Sequence, residues 1–271
     1  MQIYDYYKNL IEDVNLITEK QICSLHPTTL YLHPQFEHLR DFMYSLPERF
    51  AAGEGTLIHD GRNKLREITY GEDTFIVKAY KKPNIINQCI YGFLRPSKAM
   101  RAFRNALTLV NIGIGTPQPV GYINIRQGLF FSKSFLVTIK SKCRFRYDQL
   151  FTQPFENEET ILREIGHVTA VLHNNGVAHL DYGRGNILFD WDENGKIRIE
   201  LVDLNRMRFG SLDMKAGCKN LERLPATAQM HGWIAEEYAK ERGFDTEKCY
   251  QLMRHFRSLQ PYQEKNEFTN S

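Results

Sequence analysis

The chain has 271 residues, 42% of them hydrophobic and 25% charged, which supplies enough apolar side chains for a folded core and excludes disordered, collagen-like and coiled-coil classes. No apolar run approaches the roughly 20 residues a membrane-spanning helix needs, and the opening MQIYDYYKNLIED lacks the basic-then-apolar order of a secretory signal. The net charge of +3 is unevenly spread: Thr74 to Tyr147 holds thirteen Lys and Arg and no acid, the remainder carries a net −10, and an anionic partner for the basic stretch is expected.

Along the chain, Leu10, Ile11, Val14 and Ile17 at helical spacing predict an N-terminal helical extension over residues 1–30, and a second helix is expected near Phe36 to Phe50. Strands are predicted at Thr56 to His59 and Lys64 to Tyr70, around the turn signal Asp60-Gly61, and at Thr74 to Tyr80. Pro83-Asn84 breaks that strand, and Asn84 to Leu94 carries an apolar stripe. Pro96-Ser97 starts the next helix, which Gly113 and Gly115 end. Strands follow near Val120 to Ile125 and Leu129 to Ile139. Beyond a join near Lys140 to Tyr147 the pattern turns helical, with Ile161, Leu162, Ile165, Val168, Val171 and Leu172 on one side of a helix from Glu158 to Asn174 and a strand at Ile197 to Val202. The layout is α+β: a strand-rich half over 31–140 with one main helix, then a helical half over 141–271. Cys23, Cys89, Cys143, Cys218 and Cys249 are dispersed and form no C-x-x-C, so neither a disulfide framework nor a zinc site is expected, and a reducing, cytoplasmic location fits.

The chemistry concentrates in HLDYGRGNILFD. His179, Asp181 and Asn186 stand in the pattern H-x-D-x-x-x-x-N, the spacing of a kinase catalytic loop, and the strand IRIELV delivers Asp203 seventeen residues after Asn186. Phosphoryl transfer needs a carboxylate beside the attacking hydroxyl, and an amide oxygen and second carboxylate to hold Mg²⁺ against the phosphates. Placed before and after one hairpin, the three groups arrive at the same end of it. Taken singly, Asp181 would be a turn former, Asn186 a cap and Asp203 a strand terminator; taken together and in this order they read as a site. Lys78, on the strand TFIVKAY, is the candidate cation for the nucleotide phosphates, and Gly53-x-Gly55 is a candidate phosphate-covering turn, although Ile58 leaves it incomplete as G-x-G-x-x-G. The P-loop pattern is absent, as are G-x-S-x-G and H-E-x-x-H; His167, His173 and His231 are expected to pack or lie on the surface.

These residues resemble the lipopolysaccharide core kinase family, the Kdo and heptose kinases, within the protein-kinase-like superfamily. The likeness runs from about His33 to Tyr262 and is carried by FIVKAYKKPN, SKAMRAFRNALTLVNIGIGTPQPVGY, HLDYGRGNILFD and LVDLNRMRFG. It implies a bilobal protein-kinase-like fold, ATP and Mg²⁺ as cofactors, and transfer of the γ-phosphate to a sugar hydroxyl of an anionic glycolipid at the cytoplasmic face of a bacterial inner membrane. By position it implies Asp181 as catalytic base, Asn186 and Asp203 as metal ligands, Lys78 as the phosphate-binding lysine, and Thr138 to Ser141 near an adenine hinge. Two departures accompany it. Asn105 stands where kinases carry the Glu that pairs with the strand lysine, and Asp203-Leu204-Asn205 replaces D-F-G, losing the backbone freedom of the glycine. The departures leave two alternatives beside the glycolipid kinase: a catalytically weak kinase-like binding module, and a kinase for a protein or small soluble acceptor. Two readings of the Asn84 to Leu94 stripe stay open: it packs on the strand-rich half as core, or with the basic residues that follow it makes peripheral contact with an anionic membrane. Nucleic acid is not expected, because few aromatic residues interleave these charges.

Overall fold

Alternation along the strand-rich half folds into one sheet. The structure, a computed structural model, describes residues 20–21, 28–81, 96–127 and 130–260; the helices expected at 10–17 and 84–94, with Cys23 and Cys89, lie outside the described residues. The chain divides into two units, Met1–Leu107 with Pro117–Lys140, and Thr108–Thr116 with Ser141–Ser271.

In the first unit, β1 (Lys20–Gln21), β2 (Thr28–Leu32), β3 (Thr56–Asp60), β4 (Lys64–Tyr70), β5 (Asp73–Tyr80), β6 (Pro119–Gln127) and β7 (Phe130–Ile139) form an antiparallel sheet in the order β1-β2-β6-β7-β5-β4-β3. A period of two sends alternate side chains to opposite faces. Phe75 and Val77 of β5, with Ile68, Val120, Ile123, Phe135 and Val137, are buried with Phe42, Met43 and Leu46 of helix α1 (Arg40–Ala51), which a 3₁₀ turn at Pro34–Leu39 leads into. The other face, with Tyr31, Tyr80 and Tyr122, buries Ala99 and Phe103 of α2 (Lys98–Asn111). Lys78, two residues from Tyr80, therefore stands on the face that α2 covers. Both faces of the sheet carry a helix: α1 is the one expected near Phe36 to Phe50, and α2 is the main helix read from the sequence for this half.

In the second unit, β8 (Phe145–Arg146), β10 (Ile187–Trp191) and β11 (Ile197–Leu201) form a small sheet, and β9 (Val177–His179) pairs with β12 (Met207–Phe209). Helices α3 (Glu158–Asn174), α4 (Met214–Asn220), α5 (Ala228–Arg242) and α6 (Thr246–Ser258) complete it. The expected stripe of α3 is fully buried at Ile161, Leu162, Ile165 and Leu172. Its length follows from its amphipathic period and from the Asn175-Gly176 stop, where Gly176 adopts φ +67°. Asp213, Thr227 and Asp245 cap the helices α4, α5 and α6, each accepting a hydrogen bond from a backbone N–H three residues on. The loop after α2 joins this unit: the N–H of Leu201 donates to Gly115 O, and Thr116 Oγ1 to Leu201 O. Asp190, buried next to the end of β10, accepts from Arg144 Nε (2.8 Å), Arg144 Nη2 (2.7 Å) and two backbone N–H groups. The Arg144 guanidinium holds its carboxyl down at about 2.

Candidate active site

β9 runs into the loop 180–186, and β10 and β11 return from it as a hairpin. At the loop's start His179 is fully buried. Its Nδ1 accepts from the N–H of Asp181 at 3.1 Å, so the ring hydrogen sits on Nε2, which donates to Val202 O at 3.1 Å. Burial lowers the pKa of this imidazole and keeps it neutral, the form both contacts require. One ring thus ties the residue expected as base to the residue preceding Asp203.

Asn186 closes the arrangement. Its Nδ2 donates to Asp181 O at 2.8 Å, and its own carbonyl accepts from the N–H of Val202 at 3.0 Å, one step beyond the β10–β11 ladder. The chain therefore brings Asp181, Asn186 and Asp203 to one end of the hairpin. With Nδ2 committed to the loop, the Asn186 Oδ1 meets no donor among the described residues.

Asp203 adopts φ +58°, one of two described non-glycine residues at positive φ. Such a backbone costs on the order of 1 kcal/mol or more for an L side chain and persists where surrounding contacts over-determine it. Here Val202 on one side is held twice, and on the other Leu204 is buried and Asn205 Nδ2 donates to Asp203 Oδ1 at 2.5 Å. Asn205, standing where D-F-G has glycine, fixes the carboxylate of Asp203.

Two arginines reach Asp181. Arg206 follows Asn205 directly and extends the β9–β12 ladder, where its carbonyl accepts from the N–H of Leu180 at 2.9 Å; its Nη1 donates to Asp181 Oδ1 at 2.9 Å. Arg223, in the turn after α4, donates from Nη1 to the same oxygen at 2.8 Å. Neither residue has a local sequence signal for this role, since both arrive by tertiary placement. Behind the loop runs a buried relay. Arg242 Nη1 donates to Tyr238 Oη, which donates to His173 Nδ1 at 2.9 Å; His173 Nε2 donates to Asn220 Oδ1 at 3.0 Å, and Asn220 Nδ2 to His179 O at 2.9 Å. Burial pushes the His173 pKa down to about 4, so the ring is neutral and can accept on one nitrogen while donating on the other. The relay gives His173 a role beyond the packing or surface position expected of it.

In the first unit, Lys78 lies 5.4 Å from the Tyr80 ring centre, and Asn105 is buried on α2. Gly55 has φ +75°, and a Cβ there would stand 2.1 Å from Glu67 O, so β3 can approach β4 only with glycine at this position. Arg66 Nη1 donates to the carbonyls of Gly53, Glu54 and Gly55, holding that turn. Gly55 thus has a structural reason of its own, whatever it covers. Of the expected hinge, Ile139 ends β7, Lys140 pairs with Glu67, and Ser141 donates to Glu200 Oε2 at 2.6 Å.

The architecture is that of the protein-kinase-like fold: the chain superposes on a solved structure titled WaaP in complex with acyl carrier protein with a TM-score of 0.60 over 84% of this chain and 96% of that one, at 13% sequence identity. The profile of the Lipopolysaccharide kinase (Kdo/WaaP) family matches residues 77–244, and the chain belongs to that family. A curated relative, the 3-deoxy-D-manno-octulosonic acid kinase of Vibrio parahaemolyticus, is 28% identical over 149 residues, which are 55% of this chain and 59% of the relative. The chain thus spans under two thirds of the length of that relative.

Proposed function

We propose that the protein is an ATP- and Mg²⁺-dependent kinase that phosphorylates a sugar hydroxyl, on Kdo or heptose, of a lipopolysaccharide core precursor. The observation that carries the reading is the convergence of Asp181, Asn186 and Asp203, in kinase order, at one end of the β10–β11 hairpin. Asn186 Oδ1 and the Asp203 carboxylate are hard oxygen donors, the set a magnesium ion takes alongside water and phosphate oxygens. The ion supplies charge neutralisation on the transferring phosphate. Lys78 holds the nucleotide phosphates, Gly55 belongs to the turn covering them, and Asn105 takes the place of the usual glutamate toward the lysine. The Asp181 carboxylate orients the acceptor hydroxyl and takes its proton as the oxygen bonds to the γ-phosphorus and the bond to the ADP oxygen breaks. Residues 31–140 make up most of the N-lobe and 141–271 the C-lobe, with 1–30 an extension from which β1 and the start of β2 add to the N-lobe sheet. The acceptor is met at the cytoplasmic face of an anionic membrane, to which the basic stretch 74–147 is suited. Among the described residues no helix is long and apolar enough to cross a membrane.

The test is transfer of labelled γ-phosphate from ATP to a Kdo-bearing lipid A precursor in anionic vesicles. Asp181→Asn is expected to lower kcat by roughly 10²–10⁴ with an unchanged melting temperature. Near-normal turnover of that variant would remove Asp181 as the base.

A further inference from the structure

Two guanidinium groups meet on one carboxylate at the point where an acceptor hydroxyl must arrive. Arg206 Nη1 lies 2.9 Å from Asp181 Oδ1 and 3.1 Å from Oδ2, and Arg223 Nη1 lies 2.8 Å from Oδ1. Both side chains remain 54% exposed. Among the described residues the other arginine–aspartate pairs are bound differently, although Arg49 on Glu54 and Arg163 on Glu236 also use a single nitrogen. Arg144 grips Asp190 through the planar fork of Nε and Nη2, at 2.8 and 2.7 Å, and Arg146 grips Asp148 in the same way at 2.6 Å for both. Arg206 and Arg223 each spend a single nitrogen on Asp181, and their Nε and Nη2 groups meet no acceptor among the described residues. Two positive charges against one negative leave a surplus beside the base. The fork, the edge that matches a carboxylate in two parallel bonds, is kept in reserve on both residues.

A neutral sugar has no group that matches such a fork; a sugar acid has one. We infer that Arg206 and Arg223 form a carboxylate-binding subsite that positions a sugar-acid group of the acceptor beside Asp181. The inference rests on the proposed function and deepens it. The β9–β12 ladder fixes Arg206 and the turn after α4 fixes Arg223, so a carboxylate held by both presents the ring in one orientation, with a chosen hydroxyl toward Asp181.

The test measures kcat and KM of the full chain with ATP on three acceptors: the native Kdo-bearing lipid A precursor, the same molecule with the sugar carboxyl reduced to an alcohol, and the same molecule stripped of its lipid phosphates. The wild type is expected to lose about tenfold or more in kcat/KM on carboxyl reduction, the scale of a charge-assisted hydrogen-bonded pair, and much less on removal of the phosphates. Arg206→Gln with Arg223→Gln is expected to raise the acceptor KM, leave the ATP KM unchanged, and treat native and reduced acceptors alike. If the double variant does not fold, each single variant carries the same comparison, with discrimination reduced. Variants that discriminate as the wild type does, or a wild type that responds only to loss of the lipid phosphates, would overturn the carboxylate assignment while leaving the kinase reading intact. A wild type that phosphorylates no Kdo acceptor would overturn the proposed function, and the inference with it.

Discussion

Gly217 of α4 offers the sharpest test of the relay behind the catalytic loop. A Cβ at this position would lie 2.0 Å from Tyr238 Oη and 3.2 Å from both Tyr238 Cζ and His173 Nδ1. Ordinary contact lies near 3.5 Å, so the hydroxyl would have to retreat by more than 1 Å. It has nowhere to go, since it is bonded to His173 and to Arg242. Overpacking of this kind costs about 1–3 kcal/mol, and loss of the buried hydrogen bond about 1 kcal/mol more. The better helix propensity of alanine returns at most about 1 kcal/mol. Gly217→Ala should therefore destabilise the protein by about 1–3 kcal/mol, a fall of several degrees in Tm, and weaken catalysis because Asn220 no longer holds His179 O in place. Gly232, inside α5, is the control: nothing lies within 4 Å of its Cβ position, so Gly232→Ala should raise Tm by about 2–4 °C. Thermal melts followed by circular dichroism read both. In a Tyr238→Phe background the clashing oxygen is gone, and the penalty of Gly217→Ala should shrink. Equal stability of the two alanine variants, or an undiminished penalty beside Tyr238→Phe, would refute the close approach of α4 to Tyr238.

Acid should destabilise the second unit through its buried imidazoles. Burial lowers the pKa of His173 and His231 to about 4, and that of His179 in the same direction, against an ordinary 6.5. Between those values the unfolded chain takes up protons that the folded chain does not. Their contribution is thus whole above about pH 6.5 and is lost as pH falls toward 4, at up to about 1.4 kcal/mol per pH unit for each group. Melts at pH 7.5 and 5.0 should show the loss, and His173→Gln should flatten the profile; stability rising with acid over this range would contradict the neutral relay. At Asp203 the backbone at φ +58° tolerates asparagine, so Asp203→Asn should keep its Tm and lose phosphate transfer. Asp203→Val should also lose about 1–2 kcal/mol of stability, and an equal Tm for the two variants would argue against the left-handed conformation.

Features specified by local spacing are legible in the chain alone. Alternation along TFIVKAY places Phe75 and Val77 on one face of the sheet and Lys78 on the other, and the stripe of Ile161, Leu162, Ile165 and Leu172 gives α3 its buried side, because both follow from backbone periods of two and 3.6 residues. The step from Asp181 to Asn186 and across one hairpin to Asp203 was legible for the same reason: a hairpin's register is short-range. Contacts between partners far apart in sequence are not legible in this way. Arg206 and Arg223 lie 25 and 42 residues from the carboxylate they touch and His173 lies 65 from Tyr238, brought together by a ladder of three-residue strands, a turn and helix packing that leave no periodic trace. Gly217 reads as an unremarkable helix residue until α5 brings a phenol against it. Hydrogen bonds of this kind are set by where whole elements dock, and docking is chosen by the burial of the entire core, which no local pattern records.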